Sequence, residues 1–281
     1  MILASFGAMT AMPSMPGLSA TSTSFDPALV ALSFVISVFG SLTGLQSARR
    51  AREHSGAASF AWLAAAAVSI GGGAIWSMHF IGMLAYQNGV SFGFDITRTL
   101  LSLLVAVLAS GAGLYIAGRS EPTVARYLVG GTVAGVGVAG MHYLGMSAMR
   151  MNADLTYRPG VVGLSLVIAI VAATVALFFA FTVRRAWATA AAALVMGVGI
   201  CGMHYTGMFA AVVTPLPNLA TSAFGGVNPL SLALPVFGIT SVLLFVLLFV
   251  GLFEDSEPGD ATEPEWPSVV RGAPLRPAPG A

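Results

Sequence analysis

Seven long apolar runs occupy most of this chain, and they restrict it to one kind of fold. They cover residues 27–47, 57–85, 98–118, 123–149, 160–183, 187–213 and 229–253. An α-helix needs about 20 apolar residues to cross the hydrocarbon core of a bilayer, and each run is long enough. Because unpaired backbone groups are costly in lipid, the runs predict an all-α membrane protein with seven transmembrane helices. Only 8% of the residues are charged, which excludes an ordinary soluble domain.

The placement of the arginines favours one orientation of these helices. The loops after the first, third and fifth helices hold Arg49, Arg50, Arg52, Arg119, Arg126, Arg184 and Arg185. The opposite side holds Arg98, Arg150 and Arg158. Basic residues concentrate in cytoplasmic loops, so the larger group is expected inside. We therefore expect a multi-pass plasma-membrane protein with its N-terminus outside and its C-terminus in the cytoplasm.

The two ends of the chain differ in composition from the apolar part. Residues 1–26 are rich in Ser, Thr, Pro and Met, lack the pattern of a signal peptide, and are expected to form a flexible outer tail. Residues 254–281 are acidic and Pro-rich, which predicts a disordered cytoplasmic tail too short for a catalytic domain. The predicted membrane domain is residues 27–253. A net charge of +1 gives no electrostatic reason to expect nucleic acid as a partner.

A six-residue phrase, Met-His-(Phe/Tyr)-x-Gly-Met, occurs three times in the apolar runs. It occupies residues 78–83, 141–146 and 203–208, so its histidines are 63 and 62 residues apart. This period covers two helices, which predicts three two-helix repeats plus one extra helix. Each repeat crosses the membrane an even number of times, so the repeats should be parallel about an axis along the membrane normal. All three phrases then lie at one depth, near the outer ends of the second, fourth and sixth helices.

Helical periodicity predicts which way the phrases face. Each histidine shares a helix face with the methionine four residues later. A glycine seven residues earlier, Gly72, Gly135 or Gly197, falls on the same face. Small residues let membrane helices approach closely, and an imidazole facing lipid would be costly. We therefore expect these faces to turn into the bundle and to pack closely below the histidines.

Histidine and methionine on one face suggest a site for a soft metal ion. Thioethers select copper(I), and imidazole suits copper and zinc. No carboxylate accompanies the phrases, which disfavours magnesium, calcium and non-haem iron, and zinc rarely uses methionine. Haem stays open through His or Met ligands, and so does a metal-free hydrogen bond between helices. The leading candidate ligands are His79, His142 and His204, followed by Met83, Met146 and Met208. The third group, about 100° away around each helix, is Met78, Met141 and Met203.

Other polar residues are given structural roles. Asp95 and Asp154 are expected to cap the following helices or to pair with Arg98 and Arg158. His54 is expected to be a solvated surface residue.

Two further positions lie beside the histidines in the sequence. Cys201 lies near the face of His204 and is expected to be a buried, inert thiol. Phe80, Tyr143 and Tyr205 occupy one aromatic position of the phrase, so a phenol is not required in all three repeats.

The three phrases on alternate helices resemble the MHYT domain family, and residues 203–206 spell its name. The resemblance covers about residues 27–253. It implies a bacterial membrane sensor module that binds copper through Met and His near the outer membrane face and senses oxygen, carbon monoxide or nitric oxide. Carried onto this sequence, the implied ligands are Met78, His79, Met83, Met141, His142, Met146, Met203, His204 and Met208.

The leading hypothesis is thus a copper-binding sensory module in the lipid bilayer that responds to a small diatomic ligand or to redox state. Many family members carry cytoplasmic output domains, whereas the acidic tail predicts that a signal here passes to a separate cytoplasmic protein. A copper transporter or membrane metal chaperone is a second hypothesis, but it would need ligands across the whole bilayer. A structural membrane protein without metal is the third. No catalytic triad, phosphate loop or carboxylate pair suggests an enzyme.

Overall fold

A computed structural model describes residues 24–87, 90–119, 123–216 and 226–253. The predicted C-terminal tail and most of the N-terminal tail lie outside these ranges. The described residues form seven helices that are long and apolar enough to cross a membrane, so the prediction of an all-α, seven-helix membrane protein is confirmed. The helices are α1 (Pro27–Glu53), α2 (Gly56–Ala85), α3 (Ile96–Gly118), α4 (Val124–Met146), α5 (Pro159–Thr182), α6 (Ala186–Ala210) and α7 (Pro229–Phe253).

Short strands flank the first six helices, and the sequence did not predict them. Within the described ranges they form three antiparallel ribbons, β1–β2, β3–β4 and β5–β6. Their bounds are β1 (Ser24–Phe25), β2 (Tyr86–Gln87), β3 (Phe92–Phe94), β4 (Met149–Met151), β5 (Ala153–Tyr157) and β6 (Ala211–Pro215). Each repeat is therefore a strand, two helices and a strand. We call them unit 1 (β1, α1, α2, β2), unit 2 (β3, α3, α4, β4) and unit 3 (β5, α5, α6, β6).

A backbone hydrogen bond closes each unit beside its ribbon. The residue before the first helix donates its N–H to a carbonyl at or just after the end of the second helix, at 2.9 Å in every unit. The pairs are Asp26 with Ala85, Asp95 with Ala148, and Arg158 with Ala210. The same bond at the same place confirms the three two-helix repeats read from the sequence.

The six helices of the three units form a closed ring. Each helix packs against the next in chain order, and α6 returns to pack against α1. Helix α7 lies outside the ring against α1 and α2, where Leu244 is buried beside Gly73 and the hydroxyls of Ser77 and Thr240 are 2.9 Å apart. Most large side chains on the rest of α7 are exposed, as a helix that faces lipid requires.

The two groups of arginines lie at opposite ends of the bundle. One end of the bundle, which we call the histidine end, holds the three ribbons together with Arg98, Arg150 and Arg158. The other seven lie in the last turns of α1, just after α3, in the first turn of α4 and in the α5–α6 connection, and they define the arginine end. The predicted separation of the two groups is therefore present, while the assignment of the arginine end to the cytoplasm stays a prediction.

Glycines allow the second helix of each unit to approach the first helix of the next unit. A Cβ on Gly135 of α4 would lie 2.5 Å from the Cα of Ile170 in α5. A Cβ on Gly197 of α6 would lie 2.6 Å from a methyl group of Val38 in α1. These are the close contacts that the sequence predicts for Gly135 and Gly197.

Unit 1 departs from this pattern by one residue. The tight contact belongs to Gly71, whose Cβ would lie 2.5 Å from the carbonyl oxygen of Ala106 in α3, whereas the nearest atom to Gly72 is a methyl group at 3.5 Å. The prediction for Gly72 is therefore wrong. Residues Val68–Ser77 of α2 are π-helical, and a π turn holds one more residue than an α turn. The seven-residue spacing assumed an uninterrupted α-helix.

The two loop aspartates have different roles. Asp95 caps α3 by accepting a hydrogen bond from the backbone N–H of Arg98 at 3.0 Å, as predicted. Its ion pair is formed with Arg150 at 2.5 Å, and the guanidinium of Arg98 donates instead to the carbonyl of Ser147. Asp154 lies within β5, and the N-cap position of α5 is Arg158, so the capping prediction for Asp154 is wrong.

We expect Gly135→Ala to destabilise the bundle by about 1–3 kcal/mol, because the new methyl group would overlap the backbone of α5. Gly140→Ala is the matched control in the same helix, since no atom lies within 4 Å of a Cβ there. Thermal unfolding of the two purified variants in detergent measures the difference. Equal melting temperatures would contradict the close approach of α4 and α5.

The ion pair at the histidine end should make a small, pH-dependent contribution to stability. The hydrogen bond from Arg150, helped by that from the backbone of Arg98, holds the pKa of Asp95 below its ordinary value of 3.8. A carboxyl group with a lowered folded-state pKa stabilises the fold above its unfolded pKa, and this is lost as the pH falls through the folded value.

Asp95→Asn should therefore lower the melting temperature slightly at neutral pH, while the amide keeps the helix cap. The difference from wild type should shrink once the pH falls below 3.8. In an Arg150→Gln background the same substitution should have less effect at neutral pH. A difference that is independent of both pH and Arg150 would refute the role of the ion pair.

Candidate metal centre

The three phrase histidines meet on the axis of the ring. His79, His142 and His204 come from α2, α4 and α6, and each is at most 1% exposed. Nδ1 of His79 lies 3.0 Å from Nδ1 of His204 and 3.2 Å from Nδ1 of His142. The ring centroids are 4.9, 5.0 and 5.2 Å apart, and the rings are steeply inclined to one another. One nitrogen of every ring therefore faces a common centre.

The centre lies within the helices, close to the histidine end. In each unit, the carbonyl that closes the unit belongs to the residue six positions after the histidine. Six residues of α-helix rise about 9 Å, so the triad is about that far below the ribbons. This common depth follows from the equal position of the phrase in the three units.

The phrase glycines accommodate the histidines of neighbouring units. The Nε2 edge of each ring lies against the glycine of the next unit, where an added Cβ would collide with the ring. The pairs are His79 with Gly145, His142 with Gly207, and His204 with Gly82. Within the described ranges, none of the three Nε2 atoms has a hydrogen-bond partner. On this side the imidazole rings are therefore positioned by steric contact rather than by hydrogen bonds. Each unit contacts the histidine ring of the unit before it.

Aromatic residues cover the triad on the side of the ribbons. Each histidine packs edge-on against the aromatic residue that follows it, at centroid distances of 4.8 to 5.4 Å. Each of these aromatics contacts an aromatic at the end of the next unit's first strand. The pairs are Phe80 with Phe94 at 5.1 Å, Tyr143 with Tyr157 at 5.4 Å, and Tyr205 with Phe25 at 5.3 Å.

Phe25, Phe94 and Tyr157 were not singled out from the sequence. An alignment of the three units would have found them, because an aromatic residue precedes the N-cap position of the first helix in every unit. Burial raises the pKa of Tyr157 to about 12, so its phenol is protonated at neutral pH.

Serine hydroxyls hold the phrase aromatics in place. Tyr143 hydrogen-bonds to Ser165 at 2.7 Å, and Tyr205 to Ser33 at 2.9 Å, each across to the next unit. Phe80 has no hydroxyl, but the indole N–H of Trp76, one turn earlier, donates to the corresponding Ser102 at 3.0 Å. The replacement of tyrosine by phenylalanine in unit 1 is thus compensated within the same helix, which the sequence did not reveal.

The six phrase methionines are buried, at most 2% exposed, and belong to the apolar core. They are Met78, Met83, Met141, Met146, Met203 and Met208. His79, His142 and His204 are the only described His, Cys, Asp or Glu residues that cluster with metal-ligand spacing. Cys201 is partly buried. His54, expected to be a solvated surface residue, is partly exposed, and its Nδ1 lies 2.9 Å from the carbonyl oxygen of Arg50.

The donor set fits a small, soft ion better than a large cofactor. Three nitrogens in a plane around an ion at about 2.0 Å would be about 3.5 Å apart. This is a few tenths of an ångström more than the separations of Nδ1 of His79 from Nδ1 of His204 and of His142. Imidazole suits copper or zinc. The Nδ1 atoms are only 3.0 and 3.2 Å apart, which leaves no room for a porphyrin between the rings.

Comparison with known proteins agrees with this repeat. Residues 72–130 and 135–193 match the MHYT family, described as a bacterial signalling protein N-terminal repeat. Each matched segment contains one copy of the phrase. The chain belongs to the MHYT family. The third copy, at residues 203–208, lies outside the matched segments but has the same place in its unit.

Similar full-length proteins are signalling proteins. The bifunctional diguanylate cyclase/cyclic di-GMP phosphodiesterase MucR of Pseudomonas aeruginosa is 39% identical over 237 residues, which cover 83% of this chain and 34% of MucR. An uncharacterized signaling protein of Caulobacter vibrioides is 33% identical, covering 81% of this chain and 28% of that protein. The signaling protein YkoW of Bacillus subtilis is 32% identical, covering 79% and 29%.

The chain therefore spans about a third of the length of these relatives. No solved structure matches it significantly.

We expect Gly207→Ala to destabilise the protein by about 1–3 kcal/mol, because the added methyl group collides with the ring of His142. Adding His142→Ala should remove most of that penalty, since the ring is then absent. Unfolding measurements on the two single variants and the double variant give the coupling energy. Gly202→Ala, in the same helix with no atom within 4 Å of its Cβ, is the control. Additive effects of the two substitutions would refute the ring–glycine contact.

Proposed function

We propose that this MHYT protein is a membrane-embedded sensory module that binds copper at the histidine triad. The observation that carries the proposal is the convergence of three buried Nδ1 atoms on one centre, within helices whose phrase methionines are also buried. Membership of a signalling family and the similarity to three signalling proteins support the sensory part.

The proposed ligands fall into three groups. His79, His142 and His204 would provide the nitrogen donors. Met83, Met146 and Met208, one turn further along each helix, would provide thioethers on the same face. Met78, Met141 and Met203 are the third group, which would contribute by packing around the ion or by binding it. A bound copper ion would supply a coordination position for oxygen, carbon monoxide or nitric oxide, or a change of oxidation state.

We propose further that the histidine end faces outward. Seven arginines at one end against three at the other favour a cytoplasmic arginine end. The N-terminus would then be outside, the C-terminus inside, and the triad would lie close to the outer surface of the plasma membrane. A small apolar gas could reach this depth through the bilayer.

The contacts between units offer a route for the signal. Each ring fills a space against the glycine of the next unit, so a ring that moves on ligand binding displaces a neighbouring helix. The helices run to the arginine end, where a cytoplasmic output protein would read the change. MucR, in which the matched region is about a third of a cyclic di-GMP enzyme, suggests the kind of output.

Copper transport is the weaker alternative. A pathway through the membrane would need successive ligands at several depths. In the part of the chain that the structure describes, no second cluster of His, Cys, Asp or Glu with metal-ligand spacing accompanies the triad.

Copper content of the purified full chain tests the proposal. We expect His79→Ala, His142→Ala and His204→Ala each to weaken copper binding at least about tenfold, because each removes one donor from the centre. His54→Ala, at the other end of the bundle, is the control and should bind normally. Metal analysis after loading with copper(I) and desalting gives the comparison. Full copper content in all three triad variants would refute the site.

Two methionine variants, compared with each other, test whether a thioether also binds the ion. Met208→Leu should lower copper affinity, whereas Met196→Leu, in the same helix and equally buried, should not. Met196 is eight residues before His204, or about 12 Å along the helix, and so lies outside the centre. An equal affinity in both variants would leave the histidines as ligands and remove Met208 from the set.

A further inference from the structure

A cavity lies at the arginine end, on the far side of the bundle from the triad. It has a volume of about 430 Å³ and is open to the surroundings between α1, α2 and α3, with a contribution from α5. Two cationic side chains line it, Arg52 near the end of α1 and Arg119 just after α3. The proposed sensory function uses neither residue.

An aromatic ring accompanies each of these two arginines. The guanidinium of Arg119 lies 5.9 Å from the ring centroid of Tyr115, and that of Arg52 lies 5.6 Å from the centroid of Phe181. Arg52 donates one hydrogen bond to the carbonyl of Ala180, but its Nη2 is buried and has no partner among the described residues. At least one strong donor at the cavity is therefore unsatisfied.

The surrounding charge is positive. Glu53 pairs with Arg49 at 3.4 Å and with Arg50 at 3.7 Å. Arg52 interacts with Glu53 as well, but the like charges of Arg184 and Arg49 act on it too. A cluster of guanidinium groups in which one carboxylate is shared favours the approach of an anion.

The start of α2 adds to this potential. Gly56 and Ser59, in the first turn of α2, line the cavity, and the N-cap Ser55 makes no side-chain hydrogen bond to that turn. A helix N-terminus carries a partial positive charge and unpaired N–H groups. The positive end of α2 therefore lies at the same cavity as Arg52 and Arg119.

Large apolar side chains extend from the cavity along the lipid-facing surface. Phe60 is 70% exposed and Tyr115 is 52% exposed, and both line the cavity. Arg52 is the penultimate residue of a helix of 27 residues. Such a helix is about 40 Å long, longer than the hydrocarbon core, so the arginines lie at the level of lipid headgroups.

We infer that this cavity binds the phosphate headgroup of an anionic phospholipid, with an acyl chain against Phe60 and Tyr115. Arginines supply charge-assisted hydrogen bonds to the phosphate oxygens. The apolar margin favours a lipid over a soluble phosphate, since only a lipid has chains to cover it. Basic pockets between transmembrane helices suit such headgroups.

Binding of defined lipids to the delipidated full chain tests this inference. Phosphatidylglycerol and phosphatidylcholine with identical acyl chains are titrated into the protein in a neutral detergent, and binding is read by native mass spectrometry. We expect phosphatidylglycerol to bind more tightly. Arg52→Gln and Arg119→Gln should each weaken it about fivefold, and together roughly 25-fold, while binding of phosphatidylcholine stays unchanged.

Arg185→Gln is the matched control, because it removes one positive charge from the same end but does not line the cavity. It should leave the affinity within about twofold of wild type. Since Arg52 also bonds to the carbonyl of Ala180, its variant could be destabilised, and Arg119→Gln then carries the test alone.

Three results would overturn the inference. Unchanged affinity for phosphatidylglycerol in the Arg119 variant would remove the cavity as the site. An equal loss in the Arg185 variant would reduce the effect to the general charge of this end. Displacement of the lipid by inorganic phosphate at similar concentrations would assign the cavity to a soluble anion instead.

Discussion

Imidazole rings buried in a bilayer-spanning bundle must be held by their neighbours, and the rest of this structure follows from that requirement. A polar ring in an apolar interior is costly unless its nitrogens are engaged. Here the Nδ1 atoms face one another at 3.0 and 3.2 Å. Each Nε2 atom lies against a glycine of the next unit without a hydrogen-bond partner among the described residues, so on that side the ring is held by steric contact alone. No unit positions its own histidine alone. The closed ring of three units is therefore a condition for the centre to exist.

The sequence predicts this arrangement because its main signals are local. The length of the apolar runs predicts the helices, and the periods of 63 and 62 residues predict three parallel units. Helical periodicity assigns each histidine to one face of its helix. Because an imidazole in lipid is costly, this face is predicted to point into the bundle. The same reasoning identifies Gly135 and Gly197, and it ranks the methionine four residues after each histidine ahead of the one that precedes it. The shared burial of the six methionines leaves all six as candidates.

The features that the sequence did not predict depend on contacts between distant residues. Strands as short as Ser24–Phe25 show no periodicity, and they form because the ends of each unit meet in space. Asp154 looks like a helix cap in the sequence, yet pairing with β6 makes it a strand residue. The π segment of α2 includes the run Gly71–Gly72–Gly73. Its consequence, that Gly71 rather than Gly72 makes the close contact, is visible only where α3 packs against α2.

Unit 1 differs from the other two at several positions, and these lie together. It has the π segment, the phenylalanine in place of tyrosine, and the compensating bond from Trp76. It is also the unit whose helices contact α7, through Gly73 with Leu244 and through Ser77 with Thr240. Ser77 is two residues before His79, so one histidine of the triad is close to a contact outside the ring. Threefold symmetry is thus broken where α7 attaches, and His79 is the histidine whose own helix makes these contacts with α7.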